Sequence, residues 1–179
     1  YTLTSQLPPH PDNGFGGAAR VSDQDSDGAD DFVVYDGGPT PGFIRFVSGA
    51  TGTPLRAITV SRESGIGFPV TEIGDATGDG VPDYVLGAPY EAVSHPGGAC
   101  ECGAAYLYDG ATLARRWRVV SPHFASYNTF GDSAAPLGDV TADGRADVMI
   151  GESGGNMVHA FDGATGAVLL LVLPDSAFR

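Results

Sequence analysis

Asp23-Gln24-Asp25-Ser26-Asp27-Gly28-Ala29-Asp30-Asp31, Asp75-Ala76-Thr77-Gly78-Asp79-Gly80-Val81-Pro82-Asp83 and Asp139-Val140-Thr141-Ala142-Asp143-Gly144-Arg145-Ala146-Asp147 are three windows built on one pattern. Each carries oxygen-bearing side chains at positions 1, 3, 5 and 9 and a glycine at position 6. A tight loop with oxygens at this spacing can wrap a hard cation such as Ca²⁺, and the glycine lets the backbone turn with positive φ free of a Cβ clash. Asp and Gly favour turns without any metal, so one window alone would signify little. Three in register predict calcium at three places.

The expected ligands of the first loop are Asp23, Asp25, Asp27, the carbonyl of Ala29 and Asp31. Those of the second are Asp75, Thr77, Asp79, the carbonyl of Val81 and Asp83; those of the third are Asp139, Thr141, Asp143, the carbonyl of Arg145 and Asp147. An EF-hand would need a bidentate Glu at position 12 and a helix on each side. Position 12 is Val34, Leu86 and Ile150, each inside a short apolar run that has the pattern of a strand. The loops therefore join β-strands. Thr77 and Thr141 replace the acid found at Asp25, so the first loop carries one more charge and is expected to bind most tightly.

Composition suits one globular unit: 179 residues, 42% of them apolar, with mean hydropathy near zero. The net charge is −13, and eleven of the 22 acidic residues fall in the three windows, so three bound calcium ions would bring the charge to −7. Such a surface repels nucleic acid, and no basic patch offsets it. The nine basic residues are all Arg. The longest apolar run, Ala167 to Leu173, is too short to cross a bilayer, so no membrane insertion is expected. The chain opens on Tyr1 rather than Met, which suggests a processed precursor or a piece of a longer protein. Millimolar extracellular calcium would fill sites of this kind, which favours a secreted or cell-surface location.

A second signature follows each loop: Ser48-Gly49-Ala50-Thr51, Asp109-Gly110-Ala111-Thr112 and Asp162-Gly163-Ala164-Thr165. It has the character of a hairpin turn, flanked by apolar runs at Phe43 to Val47 and Leu55 to Val60, Ala104 to Tyr108 and Ala114 to Val120, and Met157 to Phe161 and Val168 to Leu173. Each repeat thus holds one strand entering the acidic loop, one leaving it, and a hairpin pair. No capped stretch of helical period occurs. Four short antiparallel strands per repeat form one blade of a propeller, so an all-β fold is expected. The second repeat is longer than the first, chiefly between Pro89 and Gly103, around Cys100 and Cys102. Those cysteines could form a one-residue staple, stay as free thiols or pair with another chain; with no His pair nearby, zinc is not indicated.

With these elements in place the sequence resembles the FG-GAP repeats of the integrin alpha-subunit β-propeller. The Phe-Gly element stands at Phe15-Gly16 and Phe130-Gly131 and, altered, at Ile66-Gly67. The Gly-Ala-Pro element is intact at Gly87-Ala88-Pro89, reduced to Gly151-Glu152-Ser153, and blurred around Gly37-Gly38-Pro39. The resemblance implies a propeller of four-stranded blades, calcium in the loop between the first two strands of each, and a role in extracellular recognition or adhesion. Blades are expected at 14–60, 65–120 and 129–174, in one propeller segment spanning 1–179. An outer strand at 1–7 would lack the rest of its blade, so self-association, or further blades from a longer chain, is expected.

Gly151-Glu152-Ser153-Gly154-Gly155 has the look of a protease nucleophile segment, but it occupies the Gly-Ala-Pro place of the third repeat. The clustered carboxylates are assigned to calcium, which would hold them ionised and unable to donate protons. No phosphate-cradling loop or metalloprotease helix is present, so the chain is not expected to be an enzyme. The blade ends opposite calcium would gather His10, Tyr90, His95, His123, Phe124 and Tyr127, a surface suited to a protein or glycan ligand. The first functional expectation is a calcium-stabilised extracellular module for adhesion or protein recognition. Alternatives are a structural subunit of a homo-oligomeric or filamentous assembly, and an ancillary propeller of an extracellular hydrolase or lyase.

Overall fold

In a computed structural model the described residues are 15–36, 42–60, 66–67 and 69–172. Three sequence expectations, the outer strand at 1–7, the place of His10 and the Gly-Ala-Pro element around Gly37-Gly38-Pro39, lie outside them. All regular structure among the described residues is β. The chain divides into two compact units, Tyr1–Glu63 and Ser64–Arg179.

The first unit holds one four-stranded antiparallel sheet in simple sequence order: β1 (Phe15–Val21), β2 (Asp31–Asp36), β3 (Gly42–Val47) and β4 (Pro54–Val60). Alternation along β3 buries Ile44 and Phe46 while Arg45 points the other way, as a period of two requires. The guanidinium of Arg56 covers the Phe46 ring at 4.8 Å.

The second unit contains two such sheets. One is β5 (Val70–Gly74), β6 (Asp83–Ala88), β9 (Ala104–Tyr108) and β10 (Arg115–Val120), paired in that order. The other is β11 (Phe130–Gly138), β12 (Asp147–Glu152), β13 (Met157–Phe161) and β14 (Val168–Val172). Between β6 and β9 a small hairpin is inserted, β7 (Ala92–His95) with β8 (Gly98–Glu101). Strands β6 and β9 are buried along their whole length, which is why they are apolar runs rather than alternating ones.

The two sheets share one core: Ile73, Ala76, Val85, Ala105 and Leu107 from the first meet Phe130, Val148, Ile150 and Phe161 from the second. Phe130, the Phe of a Phe-Gly element, lies edge-on to Phe161 at 5.9 Å and to His159 at 5.3 Å. Burial of a ring of this size stabilises by about 1.5–3 kcal/mol, so the element is a core anchor. On the outer strand β10, Trp117 packs against this core and its indole N–H donates to the Gly163 carbonyl at 2.7 Å.

The hairpin strands β3, β4, β9, β10, β13 and β14 fall within a residue of the bounds expected, the β7–β8 insertion was not expected, and each four-stranded sheet has the strand order of a propeller blade. The third sheet departs from its neighbour in one buried pair. Glu152 occupies the β12 position that Ala88 holds in β6, and His159 pairs across from Ile150 as Tyr106 pairs across from Leu86. His159 Nε2 and Glu152 Oε2 are 2.6 Å apart, and Asn128 Nδ2 donates to the other carboxylate oxygen at 2.5 Å. The altered Gly-Ala-Pro element is thus absorbed by a matched polar partner on the adjacent strand.

Candidate metal centre

The three acidic windows form the β1–β2, β5–β6 and β11–β12 connections, the first link of each sheet. Their internal hydrogen bonds repeat. The position-1 carboxylate turns inward and accepts backbone N–H groups: Asp23 from Ser26 at 2.7 Å and Gly28 at 2.8 Å, Asp75 from Gly78 at 2.6 Å and Gly80 at 2.8 Å, Asp139 from Asp143 at 3.1 Å and Gly144 at 2.9 Å. The position-5 carboxylate accepts from position 7: Ala29 to Asp27 at 2.8 Å, Val81 to Asp79 at 2.9 Å, Arg145 to Asp143 at 2.9 Å.

Such bonds stabilise the ionised form. The hydrogen bond from Gly28, with further ones from Ser26, Asp27 and Asp25, holds the Asp23 carboxyl below the usual carboxylate range against some loss of hydration. Asp25 moves the opposite way: loss of hydration, then the charge of Asp27, raises it.

The position-6 glycines have φ of 88°, 87° and 85° at Gly28, Gly80 and Gly144, the left-handed turn that the sequence pattern requires. Position 4 is left-handed as well, at Ser26, Gly78 and Ala142, with φ of 63°, 83° and 60°. Two of these three are not glycine, so the residue types carry no sign of this second left-handed turn.

The position-9 aspartates are the part that sequence reasoning understood least. Asp31, Asp83 and Asp147 are buried, and each staples its loop to the second signature of its own sheet. One oxygen accepts from the start of the loop: Asp31 from Gln24 at 2.6 Å, Asp83 from Ala76 and Thr77 at 2.8 and 2.7 Å, Asp147 from Val140 and Thr141 at 2.9 and 3.1 Å. The other accepts from the turn glycine, Gly49, Gly110 or Gly163, at 2.8, 2.7 and 3.0 Å. A Cβ on those glycines would stand 1.9, 1.8 and 1.8 Å from a carbonyl oxygen of the loop, which excludes any other residue there. Burial pushes the Asp83 carboxyl up, and its bonds from Gly110, Ala76 and Thr77 offset part of that. The signal that could have exposed the staple is the recurrence of one Gly-Ala-Thr turn per loop.

Carboxylates of the first loop crowd together. One ligand atom from each of Asp23, Asp25 and Asp27 lies within 4.8 Å of the others. In the third loop Thr141 Oγ1, the position-3 donor, is a buried side-chain oxygen without a hydrogen-bond partner. Carboxylate, hydroxyl and carbonyl oxygens on a short loop form the donor set of a hard divalent cation, and an unpartnered buried hydroxyl is what such an ion would satisfy.

At the far end of β6 from its acidic loop sits the β7–β8 insertion. Cys100 and Cys102 on this hairpin are joined by a disulfide and packed against Val93 and Val120. His95 stacks on Phe124 at 4.5 Å, and Tyr90 and Tyr127 are 64% and 71% exposed. Below it, Glu91 accepts hydrogen bonds from Tyr106 and from Arg118, the latter also at ion-pair distance, 2.6 Å. Burial, then the bond to Glu91, pushes the Tyr106 hydroxyl up to about 12.

Repeated four-stranded sheets, each with an acidic first loop tied to a Gly-Ala-Thr turn, define an FG-GAP type of chain. Comparison with known proteins gives the same answer and extends it. The chain is 32% identical to integrin alpha-5 of Xenopus laevis over 170 residues, 88% of this chain and 16% of that protein. It is 32% identical to integrin alpha-M of Mus musculus over 94 residues, covering 49% of this chain and 8% of that one. Identity to integrin alpha pat-2 of Caenorhabditis briggsae is 26% over 164 residues, 76% and 13% of the two chains. No family model matches. The chain belongs to the integrin alpha-like FG-GAP family and spans less than a fifth of the length of these relatives. Among the described residues no helix is long and apolar enough to cross a membrane.

Proposed function

We propose that this chain is a calcium-binding FG-GAP β-propeller segment that acts outside the cell in adhesion or protein recognition, without catalysis of its own. The three sheets serve as blades of a propeller that is closed by further blades or by another subunit. Thr141 Oγ1 carries the cation reading: a buried hydroxyl without a partner, at the position where the loop pattern calls for a ligand. Asp23, Asp25, Asp27, the Ala29 carbonyl and Asp31 would hold the ion of the first loop. Asp75, Thr77, Asp79, the Val81 carbonyl and Asp83, and likewise Asp139, Thr141, Asp143, the Arg145 carbonyl and Asp147, would hold the other two. A bound Ca²⁺ supplies positive charge that offsets the clustered carboxylates and so stabilises the strand connections.

Family membership supports the adhesion role, and the exposed Tyr90, Phe124 and Tyr127 support a protein ligand at the loop ends away from the acidic loops. Calorimetric titration of the chelator-stripped chain with CaCl₂ tests the cation reading. Uptake of three Ca²⁺ per chain, with one lost in each of Asp27→Ala, Asp79→Ala and Asp143→Ala, is the expected result. No uptake at millimolar CaCl₂ overturns it.

A further inference from the structure

We infer that the second and third acidic loops take up cations as a coupled pair, linked through the peptide group between Arg145 and Ala146; this rests on the cation reading above and adds regulation to it. The Arg145 carbonyl is the position-7 ligand expected in the third loop. The N–H of the same planar peptide is that of Ala146, and it donates to the Asp75 carbonyl of the second loop at 2.8 Å. The Asp75 carbonyl in turn shares its peptide with the Ala76 N–H, which donates to Asp83 Oδ2, the position-9 carboxylate of the second loop, at 2.8 Å. Two rigid peptide groups in series therefore connect the expected cation ligand of one loop to the structural carboxylate of the next.

Each member of such a chain polarises the following one: a carbonyl drawn toward positive charge makes its N–H a stronger donor. The far end of the relay is shielded from solvent, since Ala76 and Asp83 are fully buried. Packing reinforces the link. A Cβ on Gly74 would lie 3.2 Å from the Ala146 methyl, and one on Gly163 would lie 3.0 Å from the Ala76 methyl. The Arg145 guanidinium lies 3.3 Å from where a Cβ on Gly78, position 4 of the second loop, would stand. Fixing residue 145 thus orders the second loop from its backbone and from its position-4 turn. Repulsion between two filled loops acts in the opposite direction, but it runs through water and is screened over about 8 Å at physiological ionic strength. The relay wins, and occupation of the third loop strengthens the second.

The test uses the ¹⁵N-labelled chain and CaCl₂. Gly80 and Gly144 donate to Asp75 and Asp139 at 2.8 and 2.9 Å, so their amide resonances report the two loops separately. In Asp143→Asn the Gly80 midpoint is expected to move to about five-fold higher CaCl₂, and in Asp79→Asn the Gly144 midpoint moves by the same factor, because coupling free energies are reciprocal. Each variant loses only an exposed carboxylate with one position-7 hydrogen bond, and its amide spectrum confirms the fold. The shifts are expected to persist in about 1 M NaCl, where the screening length is about 3 Å and a pure charge effect vanishes. Midpoints unmoved within two-fold, moved to tighter binding, or restored by high salt overturn the coupling while leaving cation binding intact. Glycine amides that do not respond to CaCl₂ in the unaltered chain overturn the cation reading instead.

Discussion

Replacing Asp147 by Asn separates what the third loop needs for folding from what it needs for a cation. Asp147 is fully buried, and its carboxylate accepts from Gly163 at 3.0 Å, Val140 at 2.9 Å and Thr141 at 3.1 Å. An amide retains one oxygen and turns the other into a donor facing N–H groups. At least one buried N–H then loses its partner, at about 1–3 kcal/mol, and the bonds that remain fall from about 1.5–3 to about 0.5–1.5 kcal/mol each as the charge is lost. The sum is about 3–5 kcal/mol, a large share of the ~5–15 kcal/mol that holds a domain together. At roughly 4 °C per kcal/mol for a unit of this size, the loss in Tm is on the order of 12–20 °C. Asp143→Asn is the comparison: its carboxylate is exposed and accepts one bond, from Arg145 at 2.9 Å, so its cost is about 1 kcal/mol or less. Melting followed by circular dichroism in excess chelator removes any cation contribution. If Asp147→Asn melts within a few degrees of the unaltered chain, or no lower than Asp143→Asn, the staple does not carry the stability assigned to it.

Leu113 has φ 58° at the turn position where the other sheets have Gly52 and Gly166, so Leu113→Gly is expected to raise Tm by a few degrees, relief of about 1–2 kcal/mol of left-handed strain exceeding the added freedom of the unfolded chain; a lowered Tm in a thermal melt counts against it. Tyr106, pushed to about 12, ionises later in the folded chain than unfolded. Stability from this group is complete below the unfolded value near 10 and is lost as pH rises toward about 12. Absorbance titration should therefore show a late phenolate step that Tyr106→Phe removes. Excess chelator is expected to lower Tm, and an unchanged melt would argue against a structural cation. The first loop, with Asp25 where the others have threonine, is expected to fill first when the Gly28, Gly80 and Gly144 amides are followed together during CaCl₂ titration.

Much of the fold was legible because each sheet writes its strands as short apolar runs between glycine turns. Met157–Phe161 was marked out to the residue, as were Ala104–Tyr108 and the loops themselves. The β7–β8 hairpin escaped because its strands have four residues each and alternate between buried and exposed with small side chains, which leaves almost no apolar signal. The partnership of Glu152 and His159 was hidden for another reason. Glu152 was visible as a departure from the Gly-Ala-Pro element, but its compensation sits on the next strand, and only the register of β12 on β13 brings the two together.

Comparison among the three repeats shows which loop residues the fold requires. Position 9 is Asp in every repeat, and three backbone donors at Asp83 and Asp147, two at Asp31, account for that with or without an ion. Position 1 is likewise explained by the N–H groups that surround it. Position 3 varies between Asp and Thr, so the fold does not require a carboxylate there. Position 5 is the remainder. Asp27, Asp79 and Asp143 are exposed, and the one backbone bond they share, from position 7, needs a single oxygen that Asn would supply equally well. Three exposed carboxylates crowded beside other acids cost repulsion and return nothing that the hydrogen-bond pattern needs. Their recurrence is therefore the part of the loop that the fold does not explain and a cation would. Position 5, the least constrained acidic position in each loop, therefore stands beside the unpartnered Thr141 hydroxyl as support for the proposed cation.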